Sequence, residues 1–332
     1  MENNQREKEI DIFFKLEYGK LYESIEKGTT EIFEFEKDGF VAQNLYIKRP
    51  VPYLIQNKQY FDTITPYGYG GPVLIKGNPN LSFINQFYNA WSDYCNNNSI
   101  VSEFVRYHLF DNPEFREVFP GEVLQISDNV VRQLNPDMEK IWMDFAYKVR
   151  KNVNKARNCG LTVTTDATGE HLEAFIEIYN KTMERNDARS FYYFKKEYFD
   201  QIIGTMQGSF MFFHVWKDSI IVSSELVLYS NKYVYSFLGG TLEDFYPLRP
   251  NELLKYEIIN WSKESGHEVF VLGGGYGGND GIYRYKKSFT SGEDIPFYVG
   301  RMVHNRKIYN ELVEIRRTKD GVDENFFPLY RA

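Results

Sequence analysis

One acidic residue lies within a strongly apolar stretch, where a carboxylate could act as a general base. Strand alternation places Glu225 on one face with Ile221, Ser223, Val227 and Tyr229. A carboxylate among apolar neighbours is expected to have a raised pKa, which suits a group that removes a proton near neutral pH. The alternative is a structural carboxylate that is paired with a nearby Lys or Arg.

A basic run extends from Lys148 to Arg157. Lys148, Lys151 and Lys155 fall at positions i, i+3 and i+7, so they share one face of a predicted helix. Such a face could hold the phosphates of a nucleic acid. The alternative is the solvated side of an amphipathic helix.

The glycines from Gly273 to Gly278 formally match a dinucleotide-binding fingerprint, with Glu293 and Asp294 about twenty residues further on. We reject that interpretation because the fingerprint requires a helix to begin at the glycines and a following βαβ unit. The segment Asn279–Gly281 is expected to continue a loop instead. The glycines are expected to let the backbone approach a ligand or a neighbouring strand.

Neither a metal site nor a nucleophile motif is evident. The two cysteines, Cys95 and Cys159, form no CxxC pair, so they indicate neither a disulfide framework nor a zinc site. There is no GxSxG elbow and no Walker loop, and we predict no metal and no tightly bound cofactor. The histidines also lack metal-ligand spacing: His108, His171, His214, His267 and His304.

The 332-residue chain has a formal net charge of -7, so a broad nucleic-acid-coating surface is not expected. Its 42% hydrophobic content is enough for two cores. The N-terminal segment lacks the apolar stretch of a signal peptide, and no apolar run approaches the ~18 residues of a membrane span. We therefore predict a cytoplasmic protein without a membrane span.

The elements alternate in a way that predicts mixed sheets flanked by helices. Apolar residues at helical spacing predict a helix over Ile84–Cys95 with Asn80 as N-cap, and a long helix from Asn135-Pro136 to Gly160. No letter-level repeat links the two halves, which we assign as domains 1–158 and 159–332. The strongest strand predictions are Phe210–Trp216, Ile220–Tyr229, Tyr233–Leu238 and Val269–Leu272.

Segments along most of the chain resemble the GNAT acyltransferase superfamily, and in particular its Fem-type branch, the peptidoglycan bridge aminoacyltransferases. The resemblance implies an α/β (α+β) fold of two GNAT-like domains, each with a mixed, mostly antiparallel sheet. It further implies a main substrate channel in the second domain and no helical arm insertion, for which there is no room here. The segments that carry the resemblance are Tyr69–Pro72, Val149–Arg157, Tyr179–Arg185, Leu272–Gly275 and Gly281–Phe289.

The resemblance also implies roles for particular residues. Lys286, preceded by Tyr285, matches the aromatic-Lys pair of the Fem-type channel, where a cation would stabilise the oxyanion or bind an acceptor phosphate. Arg185, with Arg189 as a weaker neighbour, would grip phosphate oxygens of a nucleotide-linked acceptor. The alternatives are a solvated Lys and a helix-end Arg. Further candidate substrate-binding residues are Tyr67 and Tyr69, whose alternative is a tight turn with stacked Tyr, together with Gly274 and Gly275.

The resemblance leaves the donor open between aminoacyl-tRNA and acyl-CoA. With an aminoacyl-tRNA donor, it implies that Lys148, Lys151 and Lys155 are candidate tRNA-binding residues. A typical CoA-using GNAT enzyme has a glycine-containing loop that enters a helix and holds the pyrophosphate. Here Gly239–Phe245 stands in its place, which argues against ordinary CoA binding. The expected reaction is acyl transfer to an amine of a peptide-type cell-envelope precursor, carried in nucleotide- or lipid-linked form. The alternatives are an acyl-CoA-dependent N-acetyltransferase for an amino sugar of a surface polysaccharide and a non-catalytic binding protein.

Overall fold

The computed structural model describes residues 9–78, 80–275, 280–319 and 321–332. The chain divides into two compact units: unit 1 comprises Met1–Ile126 and Pro296–Ala332, and unit 2 comprises Ser127–Ile295. This division differs from the predicted boundary after residue 158, because the last segment returns to unit 1. Residues 127–158 also belong to unit 2, where their second helix packs on a later helix of that unit.

Unit 1 contains one mixed sheet in the order β1-β2-β3-β5-β12, with β4 paired to β2. All of these pairings are antiparallel except that of β3 with β5. Its strands are β1 (Thr29–Lys37), β2 (Phe40–Pro50), β3 (Phe61–Ile64), β4 (Gly71–Lys76), β5 (Ile100–Arg106) and β12 (Ile295–Val303). Its helices are α1 (Leu16–Lys20), α2 (Glu23–Glu26), α3 (Leu81–Asn97), α4 (Pro113–Glu117) and α11 (Arg306–Lys319), with 3-10 turns at Ile12–Phe14 and Leu329–Arg331.

The predicted helix of unit 1 is confirmed as α3. The Asn80 side chain accepts a hydrogen bond from the Phe83 amide at 2.8 Å, which satisfies one of the amides left free at a helix start. Ile84, Phe87 and Trp91 are almost completely buried on its inner face. This face packs with strand residues of unit 1 into one aromatic-rich core.

Unit 2 contains a sheet in the order β6-β11-β10-β9-β8-β7, antiparallel except for the parallel pair β10–β11. Its strands are β6 (Glu122–Gln133, which begins just before the division), β7 (Leu161–Asp166), β8 (Phe210–Lys217), β9 (Ile220–Tyr229), β10 (Tyr233–Thr241) and β11 (Val269–Gly273). Its helices are α5 (Met138–Asp144), α6 (Tyr147–Asn158), α7 (Leu172–Arg185), α8 (Lys196–Thr205), α9 (Pro250–Glu264) and α10 (Gly281–Lys287), with 3-10 turns at Ser190–Tyr192 and Glu243–Leu248.

The predicted fold class is confirmed, and so are the strands of the β8–β9–β10 meander. Within the described residues the longest helix is α3, with 17 residues. No helix of the described part of the chain combines the length and the apolar composition that a membrane crossing requires.

The prediction of one helix from Asn135 to Gly160 is wrong. The structure has α5 and α6, separated at Phe145, whose backbone is extended. Phe145 is 1% exposed, so its burial in the unit 2 core accompanies the break. The Arg150 guanidinium donates to the carbonyls of Met143 and Phe145, which satisfies acceptors that the broken helix leaves free. The N-cap is Asp137 rather than Asn135.

Helix α7 packs so closely on β10 that it leaves no room for a side chain at Gly240. A Cβ at Gly240 would lie 2.8 Å from the Ile178 carbonyl oxygen and 2.3 Å from Thr182 Oγ1. We expect Gly240→Ala to lower the free energy of unfolding by about 1–3 kcal/mol, because overpacking forces the helix off the strand. The matched control is Gly204→Ala in α8, where nothing lies within 4 Å of the added Cβ.

Urea unfolding of both variants tests this close packing. Gly204→Ala is expected to be neutral or stabilising, because Ala favours a helix interior. Equal stability of the two variants would contradict the close packing of α7 on β10.

Candidate active site

Strands β10 and β11 pair at their first residues and then separate. The parallel pairing runs from Tyr233↔Val269 to Tyr235↔Val271. Beyond it, β10 continues to Thr241, paired only with β9 among the described strands, while β11 ends at Gly273. We call this separation the fork: its β10 arm is Ser236–Thr241 and its β11 arm is Leu272–Gly273. Backbone groups on the inner edge of the β10 arm are thereby left without a strand partner.

Helix α10 places Lys286 at the end of the β11 arm. The helix begins at Gly281, where the Asp280 side chain accepts from the Tyr283 amide at 2.7 Å. The loop therefore ends sooner than expected, although its residues 276–279, including Gly278 of the formal fingerprint, lie outside the described residues. Lys286 Nζ donates to the Gly274 carbonyl at 2.7 Å. Gly273 has a φ of 86°, a backbone conformation that favours glycine, and a Cβ there would lie 3.2 Å from Lys286 Nζ, so the ammonium packs against the Gly273 backbone.

The surroundings of Lys286 shift its protonation toward neutral pH. Burial, as the largest cause, and the charge of Lys255 together lower the pKa of Lys286 to about 8, although Glu225 and Asp280 oppose the change. The side chain is therefore mostly, but not completely, charged at neutral pH. Such a group can stabilise a developing negative charge and can also release a proton.

Glu225 is an ion-paired carboxylate and does not lie among apolar neighbours alone. Lys255 Nζ, which projects from α9, lies 2.5 Å and 2.6 Å from the two Glu225 carboxylate oxygens and 2.6 Å from Ser236 Oγ. Glu225 is 6% exposed and Lys255 is 7% exposed. The structure therefore agrees with the alternative interpretation of Glu225, a carboxylate paired with a nearby Lys. A catalytic role for Glu225 remains a prediction.

Lys255 is a site residue that the sequence analysis missed. It lies next to Leu254 and three residues before Ile258, both in the unit 2 core. A cation beside the apolar face of a helix is a signal that its charge is buried and must be paired. This signal identifies Lys255 as a candidate but does not identify its partner.

The neighbours of Lys286 hold α10 in place. The Tyr285 hydroxyl donates to the Asn251 carbonyl at 3.1 Å, and burial raises the pKa of Tyr285 well above its usual range. Gly274 supplies the carbonyl that binds Lys286. A Cβ on Gly275 would lie 2.7 Å from the Asp280 carboxylate, so Gly275 allows the helix cap to form. The predicted ligand contacts of Tyr285, Gly274 and Gly275 remain predictions.

Arg185 lies near the end of the β10 arm. Its guanidinium donates to the Thr241 carbonyl at 3.3 Å and lies 5.1 Å from the ring centre of Tyr246. Both Arg185 and Arg189 are exposed. Arg185 is therefore oriented by one carbonyl and one aromatic face and keeps donors that a phosphate would use. Phosphate binding by either Arg remains a prediction.

Tyr67 and Tyr69 belong to unit 1, where they form part of an aromatic cluster. The Tyr18 hydroxyl donates to the Tyr67 carbonyl at 2.5 Å, and the Tyr69 ring lies 5.1 Å from Phe13 and 5.4 Å from Phe297 in edge contacts. Burial raises the pKa of Tyr69. The two residues lie in a bend, as the alternative holds, but the Tyr69 contacts are edge-on rather than stacked, and acceptor contact by both residues remains a prediction.

Two residues of the basic face of α6, Lys151 and Lys155, line an open groove of unit 2. Lys148, Lys151 and Lys155 are all exposed. Helix α6 carries five cationic and no acidic residues in a chain with a net charge of -7. The groove has a volume of about 580 Å³. Its lining residues are Trp142, Tyr147, Arg150, Lys151, Asn154, Lys155, Asn158 and Cys159.

A Ser–His–Asp arrangement also lies in unit 2, but it is inaccessible. Ser224 Oγ lies 2.8 Å from His214 Nδ1, and His214 Nε2 lies 3.7 Å from Asp166 Oδ2. Ser224 and His214 have no exposed surface, and burial lowers the pKa of His214 to about 4. A substrate carbonyl could not reach Ser224 Oγ. Over the described residues, no cluster of His, Cys, Asp or Glu has the make-up of a metal site.

Comparison with known proteins agrees with this geometry. Residues 143–287 match the family model described as an acetyltransferase (GNAT) domain. The fold is similar to the crystal structure of FemX, with a TM-score of 0.70 and 13% identity over 93% of this chain and 95% of that one. It is also similar to L-PGS from Bacillus licheniformis, with a TM-score of 0.55 and 12% identity over 95% of this chain and 98% of that one.

A third similar structure is the C-terminal domain of a putative lysylphosphatidylglycerol synthetase from Agrobacterium fabrum. Its TM-score is 0.56 and its identity is 11%, over 85% of this chain and 86% of that one. No curated protein matches the chain at a significant level.

These comparisons bear out the predicted resemblance to GNAT-type acyltransferases. Residues 143–287 match a GNAT acetyltransferase domain in sequence, and most of the chain is similar in fold to FemX.

Proposed function

We propose that this protein transfers an aminoacyl group to an amine of a peptide-type cell-envelope precursor, by direct attack of the amine within a ternary complex. The amine nitrogen forms a bond to the acyl carbon, and the ester bond to the donor oxygen breaks. The proton that the amine loses balances the proton that the leaving oxygen takes up. No covalent enzyme intermediate is required.

The observation that carries this proposal is the position of Lys286 at the fork. Its ammonium is held by the Gly274 carbonyl at the end of the β11 arm. Attack on an ester produces an oxyanion, and a preorganised cation stabilises an oxyanion more strongly in a water-poor site than in bulk water. With its pKa lowered to about 8, Lys286 would also return a proton to the leaving oxygen.

Two features favour an aminoacyl-tRNA over an acyl-CoA donor. Gly239 and Gly240 lie within strand β10, so this segment does not form a loop that enters a helix and holds a pyrophosphate. Helix α6 presents a cation-rich face without acidic residues, which would attract an RNA backbone. One structural neighbour is the C-terminal domain of a putative lysylphosphatidylglycerol synthetase, whose name also indicates an aminoacyl product.

Arg185 would bind the acceptor. An exposed guanidinium that one carbonyl and one Tyr ring already orient is suited to phosphate oxygens. A nucleotide- or lipid-linked envelope precursor would supply such phosphates. The acceptor amine would then be presented at the fork.

Calorimetry with a UDP-linked muramyl pentapeptide and with acetyl-CoA, each titrated into the purified protein, tests the proposal. We expect the pentapeptide to bind and its binding to be lost in Arg185→Ala but retained in the control Arg317→Ala. Binding of acetyl-CoA alone would contradict the proposal and favour the N-acetyltransferase of an amino sugar. Binding of neither compound would contradict both.

The tRNA surface has its own test. Each lost phosphate contact lowers the slope of log affinity against log salt concentration by roughly 0.7–0.9. Replacing Lys148, Lys151 and Lys155 by Ala should therefore lower that slope by about 2. The control is the triple variant Lys181→Ala, Lys195→Ala and Lys196→Ala, which loses the same charge from exposed positions of unit 2. Filter binding of tRNA across a salt series measures both, and equal slopes would show that α6 has no special role.

A further inference from the structure

Two buried or half-buried lysines meet at the fork, and the proposed reaction uses only one of them. Lys286 lies against Gly273 at the end of the β11 arm. Lys255 donates to Ser236, the first residue of the β10 arm beyond the last pairing with β11. The two ammonium groups therefore lie on opposite arms of one fork.

The hydrogen bonds of Lys255 fix its position. The ammonium has three N–H donors, and the structure provides three acceptors, which are the two Glu225 oxygens and Ser236 Oγ. Lys255 Nζ also lies 5.7 Å from the ring centre of Phe270 in β11. One side chain thus connects α9, β9 and both strands of the fork.

The charged groups that act on Lys286 come from three elements. They are Lys255 on α9, Glu225 on β9 and Asp280 at the start of α10. Two more carboxylates lie nearby: Glu252 on α9, which acts on Tyr285, and Asp128 on β6, which acts on Tyr283. Lys255 is the cation of this set, and its repulsion acts directly on the ammonium of Lys286.

We propose that Lys255 is a positioning residue for Lys286, a fixed cation at the fork that keeps the Lys286 ammonium ready to release its proton. The catalytic role of Lys255 rests on the proposed function, because in that reaction Lys286 must release a proton to the leaving oxygen. Glu225 has the opposite effect on Lys286 and serves to hold Lys255 in place. The pair is thus an electrostatic device whose two charges act on Lys286 in opposite directions.

The test measures the reactivity of the Lys286 amine without any substrate. The rate of Lys286 acylation by acetic anhydride, followed by peptide mass spectrometry from neutral to alkaline pH, gives the inflection at which the amine becomes neutral. In Lys255→Met this inflection should move upward by about one pH unit, so the labelling rate at neutral pH falls about tenfold. In Glu225→Gln it should move downward.

Controls separate this electrostatic role from a merely structural one. Lys263→Met, on the same helix α9, removes a lysine that donates to the Leu134 carbonyl and should leave the inflection unchanged. If Lys255→Met fails to fold, Lys255→Gln removes the same charge, keeps an N–H donor for Glu225 and Ser236, and should give the same upward shift. A merely structural role would not move the inflection in opposite directions.

An unchanged or lowered inflection in Lys255→Met, or in Lys255→Gln, would overturn the inference. This result is independent of the proposed function, because the labelling requires neither donor nor acceptor. Conversely, if the variants show the expected shifts but the protein has no transfer activity, the role of Lys255 stands and the proposed function is rejected.

Discussion

Replacement of Lys286 by Ala is expected to lower the rate of acyl transfer by about 10²–10³-fold, the usual loss when one preorganised oxyanion donor is removed. The reason is the position of its ammonium at the fork, on the Gly274 carbonyl. The control is Lys287→Ala, which removes the neighbouring lysine, paired with Asp294 at 2.7 Å. Steady-state rates with saturating donor measure both variants, and an equal loss in both would contradict the assignment.

The pH dependence of the reaction gives a second measure of the same residue. Since the charged form of Lys286 stabilises the oxyanion, its contribution is present below its pKa of about 8 and is lost as the pH rises through that value. The wild-type rate should show a falling limb near pH 8 that Lys286→Ala lacks. The free energy of unfolding depends on pH in the opposite direction. Between about pH 8 and the ordinary lysine pKa, Lys286 binds more protons in the unfolded state than in the folded state, so its contribution to stability rises with pH across that window.

Removal of the Glu225 carboxylate is expected to lower the free energy of unfolding by about 3–5 kcal/mol, because Glu225→Ala leaves the buried Lys255 charge without a partner. Both side chains are less than a tenth exposed. The double variant Glu225→Ala/Lys255→Met should recover much of the loss, since it removes the unpaired charge. Urea unfolding measures all three proteins.

The surface pair Glu177–Lys181 provides the matched control for this buried pair. Its side chains are 65% and 55% exposed. Glu177→Ala should therefore produce no measurable change in stability. If Glu225→Ala were as stable as Glu177→Ala, or if the double variant were less stable than Glu225→Ala, the buried pair would not stabilise the fork as described.

Local patterns were enough to predict several main elements of both units. The apolar spacing of α3 and its Asn80 cap, and the strands β8, β9 and β10, follow from periodicity and turn residues. The break at Phe145 does not, because it depends on burial of that side chain in a core formed by distant residues. Strand β12 and helix α11 were not predicted.

The candidate site was less accessible to sequence reasoning than the fold. Lys286 was identified through the resemblance of Gly281–Phe289 to a known family. The partner of Glu225 lies 30 residues further along the chain, on a different element. Alternation along β9 gives the face of Glu225 but not the residue that α9 brings to it. The fork likewise depends on where two strands stop pairing.

The most direct test of the central claim is amide formation from a labelled donor. Aminoacyl-tRNA with a labelled amino acid is incubated with the protein and a UDP-linked muramyl pentapeptide, and the label on the peptide is measured by mass spectrometry. The account predicts one labelled amino acid joined by an amide bond to an amine of the peptide, formed by the wild type and strongly reduced in Lys286→Ala. Label transfer at equal rates in both proteins, or label bound covalently to the enzyme before the acceptor is added, would contradict it.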